Sequence, residues 1–326
     1  MANIMINETC NLHCPYCFAS EFVNKATNDI SLENFRKAVE FLLTSEGLSG
    51  SLGIIGGEPF IHPRFRTILE LLMQDRRIKS VVLFTNGTLL CDFIDLLSDP
   101  KFKFLINLNS PNDIGKQKYD RIINNINILI DKGKRNDITL GLNMYSSEKD
   151  YSFFLSALEL FDFSRARLSI TVPNWERETS GFEKFKTIKQ TFYTMIIELM
   201  VRNISYVVDC NKPPYCIWND EERKMIELIG ASEKKGVHGI SLSENKCNPV
   251  IDILPDLNAV RCFGLSDVTK VSISDFKSFD DLRNYYATKV DPLYISRPTT
   301  AECIHCELFD GRCYGGCLSN KKGCAM

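Results

Sequence analysis

The stretch ANIMINETCNLHCPYC, residues 2–17, joins a short apolar segment to three closely spaced cysteines. The segment Asn3–Ile6 has the apolar character of a buried strand. Cys10, Cys14 and Cys17 follow it with the spacing C-x3-C-x2-C. These cysteines are therefore expected in a loop at the C-terminal end of the first strand, the end at which βα-barrel folds carry their chemistry.

The same alternation of strand and helix continues to about residue 205. Further strands are predicted at Ser51–Ile55, Ser80–Phe84, Lys103–Leu108, Ile138–Met144 and Arg167–Val172. Amphipathic helices are predicted at Leu32–Leu43, with Ser31 as its N-cap, and at Arg64–Met73, Cys91–Leu97, Lys118–Ile130, Asp150–Phe161 and Phe182–Val201. Six successive βα units indicate a parallel sheet flanked by helices, and six are too few for a complete eightfold barrel. The predicted fold class is α/β, a partial (β/α)6 barrel.

The chain changes character after about residue 205. Ser205–Val208 is a further candidate strand and Glu221–Ile229 a short helix, but the remainder is rich in Cys, Gly, Asp and Asn. A segment with few large apolar residues is commonly stabilised by bound metal. We therefore expect two domains: residues 1–205 as the barrel, and residues 206–326 as a small, cysteine-rich, metal-stapled α+β domain.

Composition narrows the class of protein. The chain has 326 residues, of which 44% are hydrophobic and 25% charged, as in ordinary globular proteins. A net charge of −2 argues against a nucleic-acid-binding surface. No apolar run has membrane-spanning length, and the N-terminus lacks the features of a signal peptide. We expect a cytoplasmic protein with neither a nucleic-acid nor a membrane partner.

Thirteen cysteines do not fit a cytoplasmic chain as structural disulfides, because reducing compartments keep thiols reduced. Three lie within residues 10–17 and seven follow residue 246, so separate metal sites are predicted. Three thiolates can bind three irons of a four-iron cluster and leave the fourth iron open, as a catalytic site requires. The alternatives are a zinc site with His13 as fourth ligand, and three unrelated buried thiols.

The spacing of this triad, with Tyr16 directly before the last cysteine, resembles that of the radical S-adenosylmethionine (SAM) superfamily. The resemblance implies a four-iron, four-sulfur (4Fe-4S) cluster whose open iron binds SAM. In that family an electron from the cluster cleaves SAM, and the resulting 5′-deoxyadenosyl radical abstracts a hydrogen atom from the substrate. A reductant such as flavodoxin or ferredoxin is an implied partner.

Two further motifs lie where that superfamily binds SAM. Gly56, Gly57 and Glu58 follow the second predicted strand and resemble the motif that binds the SAM amino group, although such a sequence also forms ordinary turns. Asn86 lies in a Thr-Asn-Gly triplet after the third strand, a triplet that recurs there in the family. The alternative for Asn86 is a simple Asn-Gly turn.

Three single residues complete the implied SAM contacts. Asn107 ends the fourth strand in Asn-Leu-Asn-Ser-Pro, where close relatives read Ser-Leu-Asp-Gly-Pro and the first polar residue contacts SAM. Arg121 lies roughly where relatives place an arginine for the SAM carboxylate, and its alternative is a solvated charge on a helix. Tyr16, beside the last cysteine of the triad, is the third.

The C-terminal cysteines resemble the SPASM extension of the same superfamily, which binds two auxiliary four-iron clusters. They are Cys247, Cys262, Cys303, Cys306, Cys313, Cys317 and Cys324. Zinc knuckles are the competing interpretation, because C-x2-C is also zinc spacing. The chain departs from the usual pattern at Leu257, where relatives carry glycine, and in having six rather than five residues between the fourth and fifth of these cysteines.

Two fully ligated auxiliary clusters need eight cysteines, one more than this segment supplies. The resemblance gives one cluster four ligands, Cys303, Cys306, Cys313 and Cys324. It gives the other cluster Cys247, Cys262, Cys317 and an upstream ligand. Cys216 is the candidate for that ligand and Cys210 the alternative; without either, that cluster keeps an open iron. Cys91 begins a predicted helix and is interpreted as a small buried residue. The implied cofactors are SAM and three 4Fe-4S clusters.

SPASM proteins mostly crosslink or oxidise ribosomally made peptides or proteins, so the resemblance implies a peptide or protein substrate and a role in peptide maturation. Because the first strand starts at about residue 3, we expect no leader-binding domain here and consider a separate leader-binding protein as a partner. Phe263 lies where sulfatase-maturing relatives carry an acidic residue, which argues against that activity. The alternatives are oxidation or rearrangement of a small metabolite and, in another class, a non-catalytic iron–sulfur electron carrier or scaffold.

Overall fold

A computed structural model of the protein describes residues 2–17, 19–20, 23–25, 28–171, 181–208, 213–232, 246–247 and 250–321. Its strands are Ala2–Met5 (β1), Ser51–Ile55 (β2), Ser80–Thr85 (β3), Phe102–Asn107 (β4), Ile138–Met144 (β5), Arg165–Ile170 (β6), Ser205–Val208 (β7), Ile251–Ile253 (β8), Asn258–Val260 (β9) and Val271–Ser272 (β10). Its α-helices are Leu32–Leu43 (α1), Phe65–Gln74 (α2), Ile94–Leu97 (α3), Pro111–Ile114 (α4), Lys116–Asp131 (α5), Ser152–Leu160 (α6), Gly181–Val201 (α7), Asp220–Ser232 (α8), Ser266–Thr269 (α9), Phe279–Tyr285 (α10) and Asp291–Ile295 (α11).

The first six strands are each followed by helix, which confirms the predicted α/β class. α1 shows why the sequence folds this way. The Ser31 hydroxyl accepts a hydrogen bond from the backbone N–H of Asn34 at 3.0 Å, so Ser31 is the N-cap that the sequence predicts. The buried side chains of α1 recur every three or four residues along one face, at Phe35, Ala38, Val39 and Leu42.

The chain divides into two compact units. The first comprises Met1–Leu140 and Pro249–Thr288. Its strand order is β10-β9-β8-β1-β2-β3-β4, in which β1 to β4 and β8 run parallel. Asn3 lies beside Gly53 on one side and beside Asp252 on the other. A core cluster of Met5, Ile55, Leu254 and Val260 packs between these strands.

The sequence does not predict the strands β8 to β10. Each has two or three residues, too few to show a period, and β8 is defined by its parallel pairing with β1. The turn between β8 and β9 contains Leu257 with a φ of 63°, a left-handed conformation that favours glycine. This conformation explains the glycine of the related pattern, and Leu257 adopts it at a cost in strain.

The second unit comprises Gly141–Asn248 and Lys289–Met326. β6 and β7 are parallel in it, with Arg165 beside Ser205. α7, the longest helix of the described residues, buries Phe185, Phe192 and Ile196, and Trp218 packs near Phe192 at 6.4 Å between ring centroids. The cysteine-rich end is built from short 3₁₀ turns at Tyr215–Ile217, Ala301–His305 and Leu318–Lys321.

The boundaries of these two units differ from the expected division at residue 205, because residues 249–288 join the first unit through β8. The division into two domains at residue 205 therefore stays a prediction. Of the residues singled out in the sequence, Val172, Cys210 and Cys324 lie outside the described ranges. Within those ranges no helix combines the length and the apolar character needed to cross a bilayer.

Candidate functional site

The cysteine triad lies on the loop that follows β1, as the sequence predicts. This loop runs alongside the loop after β2 and is hydrogen-bonded to it through the backbone. Gly57 N–H donates to Asn7 O at 3.0 Å, and Glu58 N–H donates to Thr9 O at 2.8 Å. Cys10, Cys14 and Cys17 are half-buried. Three cysteines are thus held close together at the C-terminal end of the first strand.

The two glycines after β2 are required by this close approach. A Cβ atom added at Gly56 would collide with the side-chain oxygen of Asn7, and one added at Gly57 would collide with the backbone of Thr9. A side chain at either position would therefore displace the start of the cysteine loop. The structure gives the Gly-Gly pair this steric role, whatever contact it makes with a ligand.

Burial makes the thiolate forms of the triad costly in the absence of a cation. It raises the pKa of Cys10 to about 11 and, together with the charges of Cys10 and Cys17, raises the pKa of Cys14 to about 12. The pKa of Cys17 is also raised by burial. The positive charge of bound iron reverses this preference, because a coordinated thiol is held deprotonated. The donor set and its burial therefore suit an iron–sulfur cluster.

Asn109 contacts the triad and was not singled out in the sequence. The Cys14 thiol donates to its Oδ1 at 3.4 Å, and the Tyr16 hydroxyl is hydrogen-bonded to the same oxygen. Asn109 and Tyr16 are both buried. The sequence pattern instead indicates Asn107 of the same Asn-Leu-Asn-Ser-Pro segment. Both asparagines lie close to the end of β4, and this position is the one sequence feature that indicates Asn109.

Two asparagine oxygens near the triad are buried without a hydrogen-bond partner in the described residues. They are Oδ1 of Asn107, at the end of β4, and Oδ1 of Asn7, just after β1. Both oxygens are closed off from solvent by the chain itself, and Oδ1 of Asn7 packs against Gly56, where an added Cβ atom would lie 2.0 Å from it. A buried acceptor without a donor is a cost in the free energy of folding.

The Glu58 carboxylate is fully buried and directed at the loop after β3. It accepts hydrogen bonds from the Thr85 hydroxyl at 2.7 Å, from Asn86 N–H at 2.8 Å and from Phe60 N–H at 3.3 Å. Burial raises the pKa of Glu58 to about 7, and these hydrogen bonds oppose the shift. The structure therefore shows a carboxylate that organises two adjacent loops.

The other residues singled out in the sequence of the first unit differ in their burial and in their contacts. Asn86 is buried and its amide donates to Asn11, inside the cysteine loop, at 2.8 Å. Arg121 is 53% exposed on α5 and lies 3.8 Å from Asp92, so the described contact is that of a surface charge pair. Cys91 is half-buried rather than buried, because it lies on a 3₁₀ turn, Leu90–Phe93, at the surface.

In the second unit, three cysteines are gathered on one compact turn. Cys306 N–H donates to Cys303 O at 3.2 Å, and Gly315 N–H donates to the Cys313 sulfur at 3.3 Å. Cys303 and Cys313 are buried, and Cys306 is exposed. Backbone N–H groups directed at cysteine sulfur are typical of iron–sulfur sites.

Cys216 interacts electrostatically with Cys303, Cys306 and Cys313. This differs from the expected grouping, in which Cys216 joins Cys247, Cys262 and Cys317. Pro213 and Pro214 precede the 3₁₀ turn that carries Cys216, and no sequence period reports where such a turn packs.

Cys317 interacts electrostatically with Cys247, and its sulfur lies 3.0 Å from the Ser319 hydroxyl. Cys262 belongs to the first unit. Among the described residues, no group of three or more His, Cys, Asp or Glu side chains is arranged to hold a single metal ion.

Part of the chain matches a known sequence family. Residues 4–151 match the Radical SAM superfamily. GTP 3′,8-cyclase of Desulforamulus reducens is 31% identical over 108 residues, which are 32% of this chain and 32% of that protein. An S-adenosylmethionine-dependent nucleotide dehydratase of Selenomonas ruminantium is 35% identical over 88 residues, 27% of this chain and 30% of that protein. The chain thus matches less than a third of the length of each of these relatives.

Solved structures resemble the chain over nearly its whole length. Streptococcus suis SuiB bound to S-adenosylmethionine has a TM-score of 0.64 at 17% identity, covering 98% of this chain and 73% of SuiB. Native anSMEcpe with bound AdoMet has a TM-score of 0.64 at 16% identity, covering 97% of this chain and 88% of that one. At such identities the likeness shows the fold alone.

The matched residues 4–151 contain the cysteine triad, the Gly-Gly-Glu motif and both partnerless asparagine oxygens. The fold agrees with that of proteins solved with bound SAM. Residues 4–151, just under half of the chain, therefore match the Radical SAM superfamily.

Proposed function

We propose that the protein is a radical SAM enzyme that modifies a peptide or protein substrate. The proposal that it is a radical SAM enzyme rests on one observation. Cys10, Cys14 and Cys17 lie together on one half-buried loop, within the residues that match the family. When bound, the cluster and SAM supply a radical able to remove a hydrogen atom from a substrate. The chain's own residues bind these groups, orient them and exclude water.

Each residue near the triad has a role in this proposal. The three thiolates hold three irons and leave the fourth for SAM. Asn107, at the end of β4, is a candidate contact of SAM, as its place in the related pattern implies. Tyr16 bounds the site with its buried ring. Arg121 remains a candidate partner of the SAM carboxylate that would have to leave Asp92.

The Gly-Gly-Glu motif acts through its backbone in this proposal. Gly56 and Gly57 let the cysteine loop approach, and the buried Glu58 carboxylate holds the adjacent loop in place. Its three donors lie within the chain, so the SAM amino group is assigned to the backbone after β2.

The SPASM assignment of the second unit is part of the same proposal. Cys303, Cys306 and Cys313 would hold one auxiliary cluster, with Cys324 or the nearby Cys216 as its fourth ligand. Cys247 and Cys317 would belong to the second cluster. The contacts that support this are the Gly315 N–H on Cys313 and the pairing of Cys317 with Cys247.

The substrate class rests on likeness of fold. SuiB has been solved with its precursor peptide SuiA, and that structure has a TM-score of 0.63 to this chain at 16% identity. A second candidate is favoured by the curated relatives, whose names are GTP 3′,8-cyclase and nucleotide dehydratase. That candidate is a small phosphorylated metabolite. A reductant of the flavodoxin or ferredoxin type, a separate leader-binding protein and a cytoplasmic location complete the proposal.

The test is a mass measurement on two substrate classes. Reconstituted, reduced protein is incubated anaerobically with SAM and either a short peptide encoded beside it or GTP. A mass change in the peptide that requires SAM supports peptide modification. Conversion of GTP with no change in the peptide would favour the metabolite function. Absence of 5′-deoxyadenosine in both would contradict radical SAM activity.

A further inference from the structure

Asn11 lies between the first two cysteines of the triad and belongs to a closed ring of hydrogen bonds. Its Nδ2 donates to the Thr88 hydroxyl at 2.8 Å. The Thr88 hydroxyl donates to Oδ1 of Asn86 at 2.6 Å, and Nδ2 of Asn86 donates back to Oδ1 of Asn11 at 2.8 Å. All three donors point the same way around the ring, an arrangement in which each bond strengthens the next.

The ring is fixed to the loop after β3. Thr88 N–H donates to Oδ1 of Asn86 at 3.0 Å, and Asn86 N–H donates to the buried Glu58 carboxylate at 2.8 Å. Thr88 and Asn86 are 4% and 8% exposed, so their side chains have little freedom. Asn11 is therefore held by a rigid partner, and it carries the cysteine loop with it.

The Asn86 amide also lies near the sulfur of Cys10. The bonds to Asn11 and Thr88 use one N–H donor and the oxygen of this amide. The geometry therefore directs Asn86 at the cysteine loop, and the ring fixes that orientation.

We propose that Asn11 is a positioning residue for the SAM-binding cluster. Through Thr88 and Asn86 it fixes the segment between Cys10 and Cys14 and keeps the Asn86 amide near the Cys10 sulfur. The inference rests on the proposed function, since it requires a cluster on the triad. Groups that orient metal ligands and donate to their sulfurs govern retention of the cluster and its reduction potential.

The test uses the full chain with reconstituted clusters and substitutions on both sides of the ring. Thr88→Val replaces a hydroxyl by a methyl group of similar size and leaves the cysteine loop untouched. Thr88→Ser keeps the hydroxyl and serves as the conservative variant. Asn11→Ala removes the member in the loop, and the double variant Asn11→Ala/Thr88→Val tests whether the two act together. Asn34→Ala removes an amide that donates to Pro255 O on the outer side of α1 and is the matched control.

Two properties of the SAM-responsive cluster are measured: its rate of iron loss to a chelator and its reduction potential. We expect Asn11→Ala and Thr88→Val each to lose iron about 10- to 100-fold faster than wild type. The potential should become more negative in both, because the polar Asn86 amide near the Cys10 sulfur is no longer fixed. The double variant should be no worse than the more severe single variant. Thr88→Ser and Asn34→Ala should match wild type.

Three results would overturn the inference. One is a wild-type rate and potential in Asn11→Ala and Thr88→Val, even if their thermal unfolding changes, since the ring would then serve the fold alone. Another is additive effects in the double variant. The third is a wild-type protein with no SAM-responsive cluster. That result would be visible before any substitution and would refute the proposed function as well.

Discussion

Gly57 and Cys10 face each other across two adjacent loops: a Cβ atom added to Gly57 would lie 3.0 Å from the Cβ of Cys10. The same atom would collide with the backbone of Thr9, which cannot move as a side chain can. The two backbones are also joined by the hydrogen bond from Glu58 N–H to Thr9 O. Glycine at position 57 is therefore part of what places the first cysteine of the triad.

Gly57→Ala should displace the cysteine loop and lower the iron retained by the triad. Overpacking of this kind costs about 1–3 kcal/mol in the free energy of unfolding. The measurement is the SAM-responsive cluster signal per chain after reconstitution. Gly311→Ala is the matched control, because a Cβ atom there meets nothing within 4 Å. Equal signals in the two variants would refute this role of Gly57.

Glu58→Gln should destabilise the fold around the loop after β3. The amide of glutamine brings a donor to a place where the Thr85 hydroxyl and Asn86 N–H already donate. A buried donor left without an acceptor costs about 1–3 kcal/mol. Chemical unfolding measures this cost. Glu33→Gln, at a 76% exposed side chain on α1, provides the control, and an equal small effect in both variants would contradict the account.

Asn3 and Asp252 form a buried pair between the parallel strands β1 and β8. Nδ2 of Asn3 donates to Asp252 Oδ1 at 2.7 Å, while Oδ1 of Asn3 has no partner in the described residues. Burial raises the pKa of Asp252 to about 7, and Asn3 and Arg261 oppose the shift.

This pair predicts a pH dependence of stability. Because the folded pKa lies above the ordinary value of 3.8, the folded chain holds a proton that the unfolded chain has released between these two pH values. The stabilisation is complete below the lower value and is lost as the pH rises towards 7, with a slope of at most about 1.4 kcal/mol per pH unit. Urea unfolding of wild type and Asp252→Asn across this range measures it. Parallel pH profiles in the two proteins would contradict the prediction.

Cys216→Ser should lower the iron content of the reconstituted protein, by up to about four irons per chain. The reason is the interaction of Cys216 with Cys303, Cys306 and Cys313. Cys91→Ser is the control, because the Cys91 thiol donates to Asn125 Oδ1 at 2.8 Å and contacts no other cysteine among its described partners. If Cys216→Ser keeps all its iron while Cys303→Ser loses some, Cys216 is not a ligand.

The sequence predicted the elements whose residues carry a local signal. The bounds of α1, β2, β5 and β7 agree with prediction, because their apolar residues follow the period of the element that they form. Ser31 was recognised as an N-cap because capping depends on its immediate neighbours. The triad was found for the same reason, since three ligands of one cluster lie within eight consecutive residues.

What the sequence did not predict depends on contacts between distant residues. β8 is defined by its pairing with β1, about 250 residues earlier, and has no period of its own. Asn109 and Asn11 are single polar residues whose partners, Tyr16 and Thr88, lie far away in the chain. The Glu58 carboxylate was expected at a ligand, and its burial against the loop after β3 appears only in three dimensions.

The central claim is that the cluster on Cys10, Cys14 and Cys17 is the one with an iron open to SAM. Electron paramagnetic resonance of the reduced, anaerobically reconstituted protein, with and without SAM, tests it most directly. Wild type should show a cluster signal that changes on addition of SAM. Cys14→Ala should lose that change and keep the signals of the auxiliary clusters. A SAM-dependent change that persists undiminished in Cys14→Ala would contradict the claim.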